Sequence, residues 1–378
     1  MTNKLLFILL DAFRHDYFNE KLMPFMYELS NNKNYKLESV LGYSEAVKQS
    51  LITGTYPNKN GLWAEFIFKS KTLSKWIRCL PLDHFPHSVN VGCRHFISSL
   101  FKTELRNIPL PLLAYFDHPL RNLKIPTIYD IFTENKIRFY EYDGPKGKTL
   151  HKIISKTDHK YSDAVFIKIP DLDLIGHIYG THCRKVYTKV TEIDKIVEKI
   201  VKYFKNIWKD MFDTIIISDH GMVQVRQYIN LERYIKKYFK EKRDFFAFYD
   251  ATIARFWFKR DLVRNRMTKI LNKLNIGLVL DSEALKSYGV HFSDDRYGEL
   301  IFLLNPGTVI FPNFYSVLPF PPRGMHGYDP EFPGMLGIAL LPNHSLERNQ
   351  IKVVDLFPTI LDMLDLPHPK TCQGKSLF

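Results

Sequence analysis

Cysteine is scarce in this sequence: Cys79, Cys93, Cys183 and Cys372 are the only four in 378 residues, and none forms a short paired spacing. A disulfide framework and a thiolate zinc site are therefore excluded as organising elements, and a reducing compartment is expected. Long apolar runs are missing too. The N-terminal stretch Lys4–Leu10 (KLLFILL) stops at Asp11, short of the apolar core of a signal sequence, and no run reaches the length needed to span a bilayer. The expected location is cytoplasmic. There is no internal repeat, no low-complexity tract and no basic tail. The formal charge of +13 comes from lysines spread along the whole chain. Such a surface suits anionic partners, among them phosphorylated metabolites and, peripherally, an anionic membrane. A nucleic-acid module would instead cluster basic residues with interleaved aromatics. Lys236–Arg243 (KKYFKEKR) comes nearest to that pattern and reads as a solvated helix face.

What is present is the composition of a folded protein, with 45% hydrophobic residues, 25% charged residues, 29 Phe and 21 Tyr. Three apolar runs each end on aspartate. Lys4–Leu10 leads into Asp11, Asp163–Ile169 (DAVFIKI) into Asp171, Asp173 and His177, and Asp213–Ser218 (DTIIIS) into Asp219-His220-Gly221. Runs apolar on both faces suit buried parallel strands, whose carboxyl ends form the ligand crevice of an open α/β sheet. The expected fold is thus α/β, a mostly parallel sheet flanked by helices, with inserted lid regions. Helices are predicted over Met23–Ser30, Ser44–Thr53, Thr127–Asn135, Val186–Phe204, Leu262–Leu274 and Lys352–Leu366; the fourth places Val186, Val190, Ile193, Val197 and Ile200 on one face. Further strands are predicted at Arg138–Tyr142, Ala251–Phe258 and Met335–Leu341. Residues 1–225 and 323–378 are expected to form the catalytic core, with an insertion at about 63–119. Residues 226–322 are expected to form a smaller α+β lid.

The chemistry gathers at the strand ends. Asp173 and His177 are four residues apart, Asp219 and His220 are adjacent, and His326 sits in Gly-Met-His-Gly-Tyr. With Asp11 this makes three carboxylates and three imidazoles, a mixed set that suits zinc, with manganese as a substitute, better than calcium or magnesium. Six donors exceed one tetrahedral ion and suffice for two with open positions. Asp171 directly follows Pro170 and is the rival to Asp173, which is preferred because the four-residue spacing lets it share an ion with His177.

These residues resemble the alkaline phosphatase superfamily, and within it the type I phosphodiesterases/nucleotide pyrophosphatases. Asp11-Ala12-Phe13-Arg14 is similar to that family's Asp-Gly-Phe-Arg, and Ser44 through Gly61 (SEAVKQSLITGTYPNKNG) to its nucleophile segment. Pro170 through Gly180 resembles its Pro-Asp-x-x-Gly-His-x-x-Gly with two residues added. Ser218 through Met222 carries its Asp-His-Gly-Met, and Gly324 through Asp329 its Gly-x-His-Gly-Tyr-Asp. The resemblance implies an alkaline phosphatase-like fold with Asp173, His177 and His326 on one metal. Asp11, Asp219 and His220 fall on the other, which also binds the nucleophile Ser44. Ser50 and Thr53 are rival hydroxyls further inside the same helix.

Some positions depart from the family. Its usual Thr nucleophile followed by Phe-Pro-Asn becomes Ser44-Glu45-Ala46-Val47, its His before glycine becomes Asn60, and its phosphate-supporting Asn falls near Glu65. Lys48, one helical turn beyond Ser44, is the candidate for the missing positive charge, which makes Lys48 and Glu65 the candidate substrate contacts. Ala46 and Lys48 stand where the sulfatases of the superfamily carry Pro and Arg, which argues against a sulfatase. The expected activity is two-metal cleavage of a phosphodiester or pyrophosphate bond through a seryl-phosphoryl intermediate, on a phosphorylated small molecule or a glycan- or lipid-linked substrate. The alternatives are a phosphomonoesterase or phosphotransferase acting on a glycan or lipid head group, and a metal-stabilised anion- or nucleic-acid-binding protein without catalysis.

Overall fold

The computed structural model describes residues 4–69, 115–117, 119, 125–143, 150, 153, 158–209, 211–315 and 320–378. Cys79, Cys93 and most of the stretch 63–119 lie outside the described residues. The chain divides into two compact units. Met1–Gly61, Asn122–Val225 and Pro322–Phe378 form the first, and Leu62–Arg121 with Arg226–Pro321 the second. No helix among the described residues is long and apolar enough to cross a membrane.

The first unit is built on a seven-stranded sheet of β1 (Lys4–Leu10), β2 (Tyr35–Glu38), β3 (Phe139–Asp143), β4 (Ala164–Ile169), β5 (Phe212–Ser218), β6 (Gly337–Leu340) and β7 (Gln350–Lys352). Their order across the sheet is β7-β2-β6-β5-β1-β4-β3. β1 runs parallel to both β4 and β5, and β3 parallel to β4, while β6 is antiparallel to its neighbours. The apolar runs thus occupy the centre of the sheet, where both faces are covered, and β1 buries nearly all of KLLFILL. The register sets the chemistry. Leu10 pairs with Ser218 of β5 and with Ile169 of β4, so the residues that follow these strands emerge side by side.

The helices that accompany the sheet include α1 (Pro24–Leu29), α2 (Ser44–Thr53), α3 (Ile128–Glu134), α4 (Asp171–Tyr179), α5 (Arg184–Trp208) and α6 (Leu356–Met363). Val186, Val190, Ile193, Val197 and Ile200 of α5 are buried, as their spacing predicts. Each such side chain contributes about 1.5–3 kcal/mol relative to exposure. The closing helix predicted over Lys352–Leu366 is shorter than expected. Lys352 ends β7, Val353–Asp355 is a 3-10 turn, and α6 begins at Leu356. Pro358, which has no N–H, then sits in the first turn, where none is needed.

The second unit carries a four-stranded antiparallel sheet in the order Phe245–Tyr249, Ile253–Phe258, Leu300–Leu304 and Gly277–Leu280. The helix Asp261–Lys273 buries Val263, Met267 and Leu271 in the same core. The stretch 63–119 was expected to belong to the catalytic core. Its described ends pack here instead, because Phe66 and Phe116 join this core and Phe68 stacks on Trp257 with ring centroids 5.0 Å apart. Lys236–Arg243 does not form the expected solvated helix face. The short helix Leu231–Ile235 ends before it, and Lys236 pairs with Glu232 at 2.6 Å and Glu241 at 2.9 Å.

Gly54 ends α2 with φ +62°, and a Cβ there would lie 2.6 Å from Phe357 Cδ1. Its carbonyl also accepts from the N–H groups of Gln373 and Gly374. Gly54→Ala is expected to cost roughly 2 kcal/mol or more from the left-handed backbone and overpacking together. Urea denaturation should show a lower midpoint at unchanged slope. An unchanged midpoint would show that the α2 terminus is not held as described.

Candidate active site

The β1–β5 register brings Asp11 and Asp219 out next to each other. The chain turns sharply after Asp11 because Ala12 takes a left-handed φ of +58°, which glycine would adopt without strain. Ala12 N–H donates to Asp219 Oδ1 at 3.1 Å, and His220 N–H donates to the same oxygen at 3.0 Å. Ser218 Oγ accepts from Phe13 N–H at 2.7 Å and donates to His220 O at 2.7 Å, fixing the loop after β5 against the turn after β1.

The helix α4 starts at the end of β4 and carries Asp173 and His177 one turn apart. His177 Nε2 lies 3.2 Å from Asp173 Oδ1, while its Nδ1 faces Gly324 O at 2.8 Å. That carbonyl fixes Nδ1 as the N–H and leaves Nε2 to face the site. The approach requires glycine, since a Cβ on Gly324 would sit 2.5 Å from Gly176 O. His220 is held in the same way, with Nδ1 2.9 Å from Gly221 O, and its ring stacks on His326 at 3.9 Å between centroids. Tyr43 packs edge-on against His326, with ring centroids 5.7 Å apart.

Two donor groups result, each with its ligand atoms within 4.8 Å of one another: Asp11, Asp219 and His220, and Asp173, His220 and His326. His220 belongs to both, and His177 attaches to the second through Asp173. Asp171 joins neither group; it opens α4 with Oδ2 buried and without a hydrogen-bond partner. Ser44 is the first residue of α2, behind the N-cap Tyr43, and its hydroxyl makes no cap. Ser44 Oγ instead lies 3.3 Å from His220 Nε2. The rival hydroxyls are placed differently. Thr53 Oγ1 donates to Gln49 O at 2.7 Å, and Ser50 is fully buried within the helix packing.

Electrostatics mark the cluster as built for cations. Burial, with Asp219 alongside, pushes the Asp11 carboxyl up to about 7. Burial opposes charge on Asp173 as well, but the His177 hydrogen bond and the neighbouring imidazoles hold it well below the usual carboxylate range. Burial also opposes protonation of His220, yet Asp219 and Asp11 outweigh it and raise its pKa. Burial and the charge of His220 push His326 far below an ordinary imidazole. Asp11 Oδ1 is buried with no hydrogen-bond donor. Two buried carboxylates side by side and an orphaned acceptor are costly unless a positive charge joins them. The donors present fit divalent ions.

Lys48 is exposed, and its Nζ lies 3.8 Å from Glu141 Oε1. Glu65 belongs to the second unit, where its charge acts on the buried Asp250 that pairs with Arg255 at 2.9 Å. A cavity of about 170 Å³ opens beside Ser44, and Lys48, Glu141, Lys168 and Asp219 line it. Sequence reasoning missed Lys168, although a single charge in the apolar run DAVFIKI is a readable signal. Tyr43 was missed as well, and nothing in its surroundings singles it out.

A parallel α/β core with acidic and imidazole donors and a helix-borne hydroxyl at its strand ends defines a metal-dependent hydrolase. The family model for type I phosphodiesterase / nucleotide pyrophosphatase matches residues 5–329, and the chain belongs to that family. The bis(5'-adenosyl)-triphosphatase ENPP4 of Pongo abelii is 25% identical over 392 residues, covering 97% of this chain and 79% of that protein. Murine ectonucleotide pyrophosphatase/phosphodiesterase 5, solved as an inactive threonine-to-alanine variant in complex with AMP, superposes with a TM-score of 0.69 at 16% identity, covering 97% and 96% of the two chains. The human counterpart gives 0.68 at 18% identity with the same coverage. These structures share the fold, and membership of a hydrolase family sets aside the reading as a binding protein without catalysis.

A metal ligand set must be deprotonated before it binds, so the raised Asp11 and His220 link affinity to pH. Zinc affinity is expected to rise as pH increases through about 7, with more protons released per ion at pH 6 than at pH 8. In the metal-free chain the sign is opposite. The stability tied to neutral Asp11 is complete below the ordinary carboxylate value and is lost as pH rises through about 7. Calorimetric zinc titration in buffers of different ionisation enthalpy reads both the affinity and the protons. A pH-independent affinity would contradict the assignment of Asp11 and His220 as ligands.

Proposed function

We propose that the chain hydrolyses a phosphodiester or pyrophosphate bond in two displacements, through a covalent phosphoryl group on Ser44. The observation that carries this reading is the position of the Ser44 hydroxyl, uncapped and 3.3 Å from His220 Nε2, beside both donor groups. When bound, two divalent ions, most simply zinc with manganese as a substitute, would supply Lewis-acid charge and make a hydroxyl nucleophilic at neutral pH. Asp11, Asp219 and His220 would hold one ion, and Asp173, His177 and His326 the other, with His220 lying between them.

The residues of the chain divide the remaining work. The Ser44 hydroxyl gives up its proton to solvent and its oxygen attacks phosphorus, while the bond from phosphorus to the leaving oxygen breaks and that oxygen takes a proton from solvent. A water then attacks the same phosphorus and loses a proton, the bond to Ser44 breaks, and the Ser44 oxygen takes up a proton to restore the hydroxyl. The positive end of the ten-residue helix α2 lies at Ser44 and favours the anionic phosphoryl group throughout. His220, oriented through Nδ1 by Gly221 O, and Asp219, anchored by two backbone N–H groups, keep the surroundings of Ser44 fixed while charge develops.

The relatives support the substrate class. One is a triphosphatase of bis(5'-adenosyl) compounds, and another binds AMP and is inactive when a threonine is replaced by alanine. A phosphorylated nucleotide or similar small molecule is therefore the proposed substrate. Lys48 is the proposed contact for an additional phosphate charge. Its exposure and its link to Glu141 weaken it as a clamp for dianionic monoesters, which supports diesters over monoesters. The two free thiols described, Cys183 and Cys372, are consistent with a reducing compartment.

Turnover of bis- and mono-(4-nitrophenyl) phosphate with zinc tests this reading. Wild type is expected to show the higher kcat/KM on the diester and to lose activity to a chelator. Ser44→Ala is expected to abolish turnover while keeping its metal. A monoester preference would overturn the phosphodiesterase assignment, and wild-type kcat in Ser44→Ala would remove the serine from the mechanism.

A further inference from the structure

Lys168 stands outside both donor groups, yet it touches one of them. Its Nζ lies 2.9 Å from Asp11 Oδ2, the shorter of the charged contacts that Asp11 makes. The residue reaches that position by strand geometry. In β4, Phe166 and Lys168 point to the face opposite Ile167, and Lys168 pairs with Leu9 of β1 and Asp143 of β3. Leu9 and Asp11 share one face of the chain leaving β1. A lysine at this register therefore lies across from Asp11, with its stem along the sheet and its head at the cavity wall beside Ser44.

Every other side chain of β4 is apolar. Burial opposes the charge on Lys168, and Asp11 more than offsets it, with Asp219 and Asp143 acting in the same sense. The ammonium is therefore retained at neutral pH. Glu141 and Lys48, paired with each other, line the same cavity, together with the carboxylates of Glu45, Asp143 and Asp219.

The contact divides the two oxygens of Asp11. Oδ2 is occupied by Lys168, while Oδ1 is buried without a donor and faces His220 Nε2 at 3.7 Å. We propose that Lys168 is a positioning residue that ties down Oδ2 so that Asp11 offers Oδ1 alone to the cation site it forms with Asp219 and His220. The proposal rests on that cluster being a metal site. Without Lys168 the carboxylate can rotate, chelate through both oxygens and crowd the position that Ser44 needs. The nearby charge also offsets the repulsion between Asp11 and Asp219, which keeps them at ligating distance. Outer partners of metal ligands act in this way, and their loss commonly costs ten- to a hundred-fold in affinity.

Zinc affinity measured by chelator competition on wild type, Lys168→Met and Lys168→Arg, with urea denaturation of each metal-free protein, tests the proposal. Lys168→Met is expected to weaken one of two zinc sites roughly ten- to a hundred-fold and leave the other unchanged. Lys168→Arg, which keeps the charge and donors, should return the weakened site to within a few-fold of wild type. The metal-free urea midpoints should stay close together. If wild type binds two ions and Lys168→Met matches it at both sites, the positioning role is wrong while the metal reading stands. If both sites weaken together with the urea midpoint, Lys168 is a structural tie between β1 and β4, and the proposal is again overturned. Wild type that binds no zinc would overturn the metal reading and the proposal with it.

Discussion

The structure of this site depends on two carboxylates that have no business being neighbours in a buried place. Asp11 and Asp219 leave adjacent parallel strands in register, Leu10 opposite Ser218, and both are nearly sequestered from solvent. Placing like charges together where water cannot screen them is strongly unfavourable unless cations are supplied. The surrounding architecture keeps the arrangement from relaxing. Ala12 accepts a left-handed backbone, Ser218 bridges the two loops, and two backbone N–H groups hold one oxygen of Asp219. Lys168 supplies one positive charge from the strand on the other side of β1.

From that constraint the rest of the site follows outward. The imidazoles of His177 and His220 are each oriented by a backbone carbonyl, which leaves Nε2 of His177 facing Asp173 and Nε2 of His220 facing Ser44. The helix α2 then brings a hydroxyl and the positive end of its dipole to the edge of the cluster. The N-cap Tyr43 makes no side-chain cap bond, and the Ser44 hydroxyl turns to His220 Nε2. Ser44 is thus placed by the fold of α2, and α2 by the tight packing of Gly54 against Phe357 at its other end.

Much of this was legible in the residues themselves. Apolar runs ending in Asp11, Asp173 and Asp219 announced a parallel sheet with a chemical end, because a buried parallel strand has no polar positions to spare. The four-residue spacing of Asp173 and His177 becomes one turn of α4. Less legible were features that depend on partners distant in sequence. β2 and β7 are short and half-polar, so periodicity does not distinguish them from loops. The described ends of 63–119 joined the second unit through aromatic contacts that no local pattern encodes. Lys168 was visible as an anomalous charge in β4, but its partner is set by register, and register is a tertiary property.

The stereochemical course at phosphorus tests the two-displacement account most directly. A diester made chiral at phosphorus with sulfur, hydrolysed in water enriched in oxygen-18, gives a product whose configuration counts the displacements. Each in-line displacement inverts phosphorus, so passage through Ser44 requires two inversions and net retention. Net inversion would mean that water attacks the substrate directly, which would contradict the seryl intermediate at the centre of the account.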